Sequence, residues 1–253
     1  SLQNFLANTS LSTPVRSITS QTPAVRSPKM KTFAFITNLS FIILSNSLFH
    51  TSVISMSNVG KPRFVTNRMC PYAQKAWIAL ELTGAKYDFK EISLYGPNGK
   101  PNWFWEMNPQ GTVPVLDCDG VVCADSDLIL DRIPQGLVSG GEKLLPCSMK
   151  ENITSWRRGI NEMLPIGKNA VLGGDKTKLF QKLMQMDAMV NAPYLCGNEV
   201  TIADCHAFPF VWRLNTEFDL DKTCPNLQKW LDYCEENNAA FSKTIQSSWW
   251  WWW

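Results

Sequence analysis

"MCPYAQKAW", residues 69 to 77, sets a cysteine directly before a proline, an aromatic residue and a run that continues as "IALELTG" to Gly84. Ala73, Ala76, Trp77 and Leu80 recur at helical spacing, Pro71 suits a first-turn position and Gly84 a stop. Just upstream, "RFVT" (residues 63 to 66) is short and β-prone. Cys70 therefore falls between a strand and the start of a helix. Unpaired amide hydrogens and the helix dipole favour negative charge there, and the thiolate is the reactive form of cysteine. Arg68 and Lys75 add positive charge, and no carboxylate stands close in sequence. The expectation is a reactive Cys70; the alternative is a structural thiol. Position 73 is Ala, so Cys70 has no partner in a CxxC pair. A mixed disulfide formed on it must be resolved by another thiol, most simply a small diffusible one.

Outward from this stretch the chain changes character once. "KYDFKEI" (86 to 92) alternates as a strand does, and "NWFWEM" (102 to 107) reads as a short helix or turn. Thr112 to Ser126 reads as two strands joined at Asp119-Gly120, followed by a helix, "SDLILDRI", with Ser126 as its N-cap. The order is β-α-β-(α)-β-β-α. Pro134 to Pro146, rich in Gly and closed by proline, reads as a linker. Beyond it the strands stop: "ENITSWRRGINEML", "KTKLFQKLMQMDAMV", "TIADCHAFPFVWRLN" and "NLQKWLDYCEENN" all have helical periodicity. The expected organisation is a leader over 1–60, an α/β domain over 61–134, a linker over 135–147, an all-helical domain over 148–246 and a Trp-rich tail over 247–253.

Composition bounds the function. At 45% hydrophobic and 18% charged, the 253-residue chain is globular in type. Four basic residues precede position 60 and no acidic residue precedes Glu81, so from position 61 onward 20 basic residues face 22 acidic ones, about −2. That balance removes the electrostatic footprint of a nucleic-acid-binding protein. The eight cysteines, at 70, 118, 123, 147, 196, 205, 224 and 234, lie at no zinc-ligand spacing with His50 or His206, and no metal site is expected. Seven of them read as buried fillers. "MKTFAFITNLSFIILSNSLFHTSVIS" (30 to 55) reads as a secretory-route or organelle-targeting leader, plastid included; a start at Met56 would instead leave a cytosolic protein. No later stretch is apolar enough for a membrane span. The five terminal tryptophans are either an artefact or an aromatic flap over a pocket.

"CPYAQKAWIALE", with "KPNWFWEMNPQGTVPVLDCDG" and "ADSDLIL", resembles the N-terminal domain of cysteine-type glutathione transferases, the omega and lambda classes and the dehydroascorbate reductases. The resemblance covers about residues 63 to 245. It implies a thioredoxin-like domain followed by a helical domain, with glutathione as co-substrate, and dimerisation is a family expectation. It implies that Cys70 forms the mixed disulfide with glutathione. Val113, before a cis Pro114, would pair its backbone with the cysteinyl part of the ligand. Asp125 and Ser126 stand where the family has Glu-Ser and would hold the γ-glutamyl end, the shorter Asp being a departure. Lys100 would meet the glycyl carboxylate; its other reading is a solvated loop charge. Thr201 and Asp204 have the spacing of a helix capping box, a structural role. Trp156, Arg157 and Trp212 would line a second-substrate site or belong to the core. The implied activity is glutathione-dependent thiol transfer or reduction of a disulfide. Its rivals are glutathione conjugation to an electrophile and non-catalytic ligand binding on the same fold.

Overall fold

The computed structural model describes residues 61–95 and 99–246, all within one compact unit. The expected leader, its alternative starts and the Trp-rich tail lie outside the described residues. Four strands form one mixed sheet in the order β2-β1-β3-β4: β1 (Arg63–Thr66), β2 (Asp88–Glu91), β3 (Val115–Cys118) and β4 (Val121–Cys123). β1 pairs parallel with β2 through the crossover helix α1 (Pro71–Thr83), and antiparallel with β3, which turns at Asp119-Gly120 into β4. The period of two along a strand divides the sheet's neighbours. Phe64 and Leu116 are paired and join the main core, whereas Val65 and Val115 are paired and face Ile92 and Phe104, the latter on α2 (Asn102–Met107).

α1 is enclosed on nearly every side, which the sequence pattern did not suggest. Ten of its thirteen residues are buried, Gln74 and Lys75 among them. Polar side chains survive there only with partners, and each has one, described below. Gly84 ends the helix at φ 73°, a left-handed position at which its N–H reaches the Glu81 carbonyl. α3 (Ser126–Arg132) corrects one expectation. Its N-cap is Asp125, whose Oδ1 accepts from the amides of Asp127 and Leu128 at 2.9 and 2.8 Å, while Ser126 is the first helical residue and is buried. Both residue types cap well; the extended backbone falls at Asp125 (φ −132°, ψ 137°), so the cap sits there.

The stretch expected as a linker is a packed run of turns over 133–149, with Ile133, Val138 and Leu144 buried in the shared core. The helices that follow are α4 (Lys150–Val171), α5 (Thr177–Asp187), α6 (Ile202–Phe218), α7 (Pro225–Asn237) and α8 (Ala239–Ser242). α4 continues through Pro165, where the sequence pattern suggested an end at Leu164. Met163 on one side of the proline and Gly167 and Ala170 on the other keep one buried face, which offsets the lost backbone bond. α6 begins with the expected capping box. Thr201 accepts from the Ala203 amide, and Asp204 reaches back to the Thr201 amide. One continuous apolar core runs from Phe64 of the sheet to Phe241 of α8, and α6 and α8 of the second half both pack directly on α1. Among the described residues no helix is long and apolar enough to cross a membrane.

Candidate active site

The helix start predicted at Cys70 is present. Cys70 is the N-cap of α1 with extended backbone, its N–H bonded to the Asn67 carbonyl at 3.1 Å and its carbonyl accepting the Gln74 amide at 3.0 Å. Its Sγ stands 3.9 Å from the Val113 carbonyl, a thiol-to-carbonyl contact, and the Val113–Pro114 bond is cis. Sulfur and carbonyl border a cleft of about 370 Å³. Pro71, Tyr72, Leu94 and Val113 give it apolar walls, and Lys100 is its one charged lining residue. Lys100 Nζ donates to the Leu94 carbonyl at 3.1 Å and lies 5.5 Å from the Trp105 ring centroid.

The loop that carries Val113 to the sulfur is organised by Asn108, a residue sequence reading passed over. Its Nδ2 donates to the Thr112 carbonyl at 2.8 Å, and its Oδ1 accepts the Gln110 amide at 3.2 Å. Gly111 sits at φ 66° against Trp105, where an added Cβ would lie 2.4 Å from the ring. The "NPQG" turn residues were the available signal.

Three predicted site residues, Cys70, Lys100 and Val113, meet at the cleft. Asp125 and Ser126 are not part of its lining, nor is Pro114, which supplies the cis bond. Asp125 is exposed with Oδ1 occupied by the helix cap; Ser126 is 6% exposed. Trp156, Arg157 and Trp212 lie outside the cleft lining too. Trp156 is buried and donates to the Leu195 carbonyl at 3.1 Å, Arg157 pairs with Asp127 and Asp131, and Trp212 is half-buried on α6.

The electrostatics correct the sequence reading of Cys70. Burial pushes its thiol pKa up; the amides of Ala73 and Tyr72, then Arg213 and Lys75, pull the other way without reversing the sign. Of the two cations assigned from sequence, Arg68 is spent on Glu91 at 3.0 Å and on the faces of Trp77 and Phe89. Lys75, 1% exposed, pairs with Asp127 at 3.0 Å. Arg213 was missed, because nothing in its sequence neighbourhood places it behind α1.

A polar cluster gathers on Asp127, whose side chain is 42% exposed, and includes the buried Lys75 and His206. Asp127 Oδ1 receives Lys75 Nζ and, at 3.3 Å, Arg157 Nη2. His206 Nδ1 stands 3.1 Å from the same oxygen in a direction too poor for a full hydrogen bond, and its Nε2 stands 3.1 Å from Asn161 Oδ1. Burial alone would raise Asp127, but His206 and Lys75 hold its carboxyl well below the usual range. Burial lowers His206 to about 4, so the imidazole is neutral at neutral pH.

All eight cysteines are free thiols. Six are buried; Cys147 is exposed, where the sequence reading expected a buried filler. Among the described residues no group of three or more His, Cys, Asp or Glu could hold a metal ion.

Two family models match the chain. "Glutathione S-transferase, N-terminal domain" covers residues 69–135, and "Glutathione S-transferase, C-terminal domain" covers residues 171–238. Glutathione S-transferase omega-1 of Rattus norvegicus is 26% identical over 208 residues, spanning 74% of this chain and 82% of its own. Glutathione S-transferase DHAR3, chloroplastic, of Arabidopsis thaliana is 26% identical over 152 residues, 57% of this chain and 55% of that protein. In structure, glutathione transferase Omega 3C from Trametes versicolor superposes with a TM-score of 0.63 at 19% identity, covering 75% of this chain and 90% of that one. The strand–helix order, the cis proline facing a helix-capping cysteine and two family matches that together span just over half the residues agree: the chain belongs to the glutathione S-transferase family.

Proposed function

We propose that the protein is a glutathione-dependent thiol transferase or reductase acting through a Cys70 mixed disulfide. The observation that carries this reading is the Cys70 sulfur at the N-terminus of α1, open to a cleft that Lys100 and the Val113 carbonyl also border. The omega and DHAR relatives support it. Glutathione lies with its cysteinyl backbone against Val113 and its glycyl carboxylate at Lys100. Its γ-glutamyl ammonium meets Asp125 Oδ2, left over by the cap, and its α-carboxylate meets Ser126.

The Cys70 thiolate attacks the glutathionyl sulfur of a mixed disulfide R–S–SG. The Cys70–SG bond forms, the sulfur–sulfur bond of R–S–SG breaks, and the leaving thiolate RS⁻ takes a proton from solvent. A second glutathione thiolate then attacks the same glutathionyl sulfur, releasing oxidised glutathione and restoring the Cys70 thiolate. Ala73 leaves no resolving thiol one turn away, so the second thiol comes from solution. Burial of the resting thiol fits this sequence: the charged form gains when ligand dipoles enter a site that already offers two amides and two cations. Conjugation to an electrophile is the runner-up, because it needs the glutathione thiolate stabilised by a hydroxyl and the site presents a thiol. Non-catalytic binding is the reading of another class, favoured by the net rise of Cys70. Reduction of a glutathionylated test disulfide by the purified protein, beside Cys70→Ser, separates these. Activity in the wild type alone supports the proposal, gained conjugation in Cys70→Ser supports the runner-up as a latent activity, and equal inertness removes the enzyme reading.

The exposed Val121, Val122 and Leu128 give one flank of the sheet and α3 an apolar surface, which supports a homodimer; a monomer by sedimentation contradicts it. Entry into an organelle, with the plastid named by two chloroplastic relatives, rests on the leader's composition, and a mature mass beginning at Met56 contradicts it.

A further inference from the structure

Arg213 is a buried cation without a carboxylate. Placed on α6, it is 2% exposed. Its Nη1 donates to Gln74 Oε1 at 2.6 Å and to the Pro209 carbonyl at 2.7 Å, both neutral acceptors, and its Nε has no acceptor among the described residues. No carboxylate pairs with it among the described residues. A guanidinium so placed is costly unless a negative charge balances it. The other cations around α1 are all balanced. Lys75 and Arg157 are committed to Asp127, Lys243 of α8 to Glu81, and His206 is neutral. Tyr72, beside the sulfur, is held as the phenol by burial, and Lys100 on the same cleft donates to the Leu94 carbonyl.

Gln74 ties Arg213 to the nucleophile's own helix turn. Its amide closes the first turn on the Cys70 carbonyl, its Oε1 receives Arg213, and its Nε2 is fixed by Thr244 Oγ1 at 3.1 Å. Among the described residues, the Cys70 thiolate is the charge that favours the protonated Arg213.

We propose that Arg213 is a positioning residue of the second half of the chain whose guanidinium, held against α1 by Gln74, is the counter-charge of the Cys70 thiolate. The proposal rests on the reading of Cys70 as the nucleophile. Burial lowers Arg213 to about 10, so the guanidinium is charged at neutral pH. The arrangement makes thiolate formation depend on correct seating of α6 on α1. It also explains why a buried arginine on α6 faces a glutamine rather than an acid: a carboxylate there would neutralise it before the thiolate formed.

The test is the rate of iodoacetamide alkylation of Cys70 against pH in the full chain. It is read from the Cys70 peptide by mass spectrometry because the exposed Cys147 also reacts. Arg213→Gln raises the alkylation midpoint by about one pH unit, slowing alkylation about tenfold below it. Arg213→Lys stays close to wild type, and Gln74→Glu, which gives Arg213 a carboxylate at its existing contact, moves the midpoint up. An unchanged midpoint in Arg213→Gln, or an equal rise in Arg213→Lys, overturns the proposal. If Arg213→Gln does not fold, Gln74→Glu decides: an unchanged midpoint overturns it. Alkylation needs no glutathione. A shifted midpoint in a protein that reduces no disulfide would sink the proposed activity and leave the Arg213 pairing standing.

Discussion

Deleting one carboxylate tests how the second half of the chain is held. Asp204 is 0% exposed. Its Oδ1 accepts from the Leu195 amide at 2.9 Å and Trp230 Nε1 at 3.0 Å, and its Oδ2 from the Thr201 amide at 2.8 Å and Thr201 Oγ1 at 3.0 Å. Asp204→Ala leaves three donors that cannot turn away, the two amides and the indole, each in a buried residue. At about 1.5 kcal/mol for each orphaned buried donor the loss is about 4–5 kcal/mol. Relief of a buried charge offsets part of it, leaving about 4 kcal/mol. That is a large share of the 5–15 kcal/mol typical of a folded domain. Thr201→Val, which removes the cap oxygen and one of the four bonds, costs about 1–2 kcal/mol. Urea unfolding followed by circular dichroism reads both as a lowered midpoint at unchanged slope. A loss below about 1.5 kcal/mol for Asp204→Ala would show that the four bonds are replaceable and that α6 is seated by apolar packing alone.

Two further outcomes follow from the site. Lys100→Met weakens glutathione binding about tenfold by calorimetry, the loss of one partly buried charge–carboxylate contact, with turnover at saturation little changed. An unaltered affinity returns Lys100 to a loop charge. His206 sets an acid limit. Burial depresses its folded pKa from 6.5 to about 4, so the unfolded chain takes up the proton first as pH falls. The stability this residue contributes is complete above pH 6.5 and is lost as pH falls to about 4, amounting to about 3 kcal/mol. His206→Gln flattens the fall of Tm between those limits; parallel curves for mutant and wild type refute the assignment.

Elements that declare themselves locally were legible in the sequence. The proline at the start of α1, the glycine at its end, the Asp-Gly turn and the Thr-x-x-Asp box each carry their own stop or start chemistry, and each falls where it was read. Long-range partners were not legible. Arg68 and Lys75 looked equally close to Cys70 along the chain, yet one turns to Glu91 and the other to Asp127. Arg213, some 140 positions away, is brought behind α1 only by the packing of α6. The sign of the Cys70 shift was misread for the same reason: the helix terminus is a local feature, whereas burial is the sum of everything packed around it. Asp125 took the cap expected at Ser126 because both residue types suit it and backbone conformation made the choice.

The central claim is a covalent one, that Cys70 and no other thiol of this chain carries glutathione through the reaction. Intact mass spectrometry after brief exposure to oxidised glutathione, followed by peptide mapping, tests it most directly. The expected result is one glutathione per chain on the Cys70 peptide, reversed by added glutathione and abolished in Cys70→Ser. Modification confined to the exposed Cys147, or an unmodified Cys70 beside it, would contradict the account.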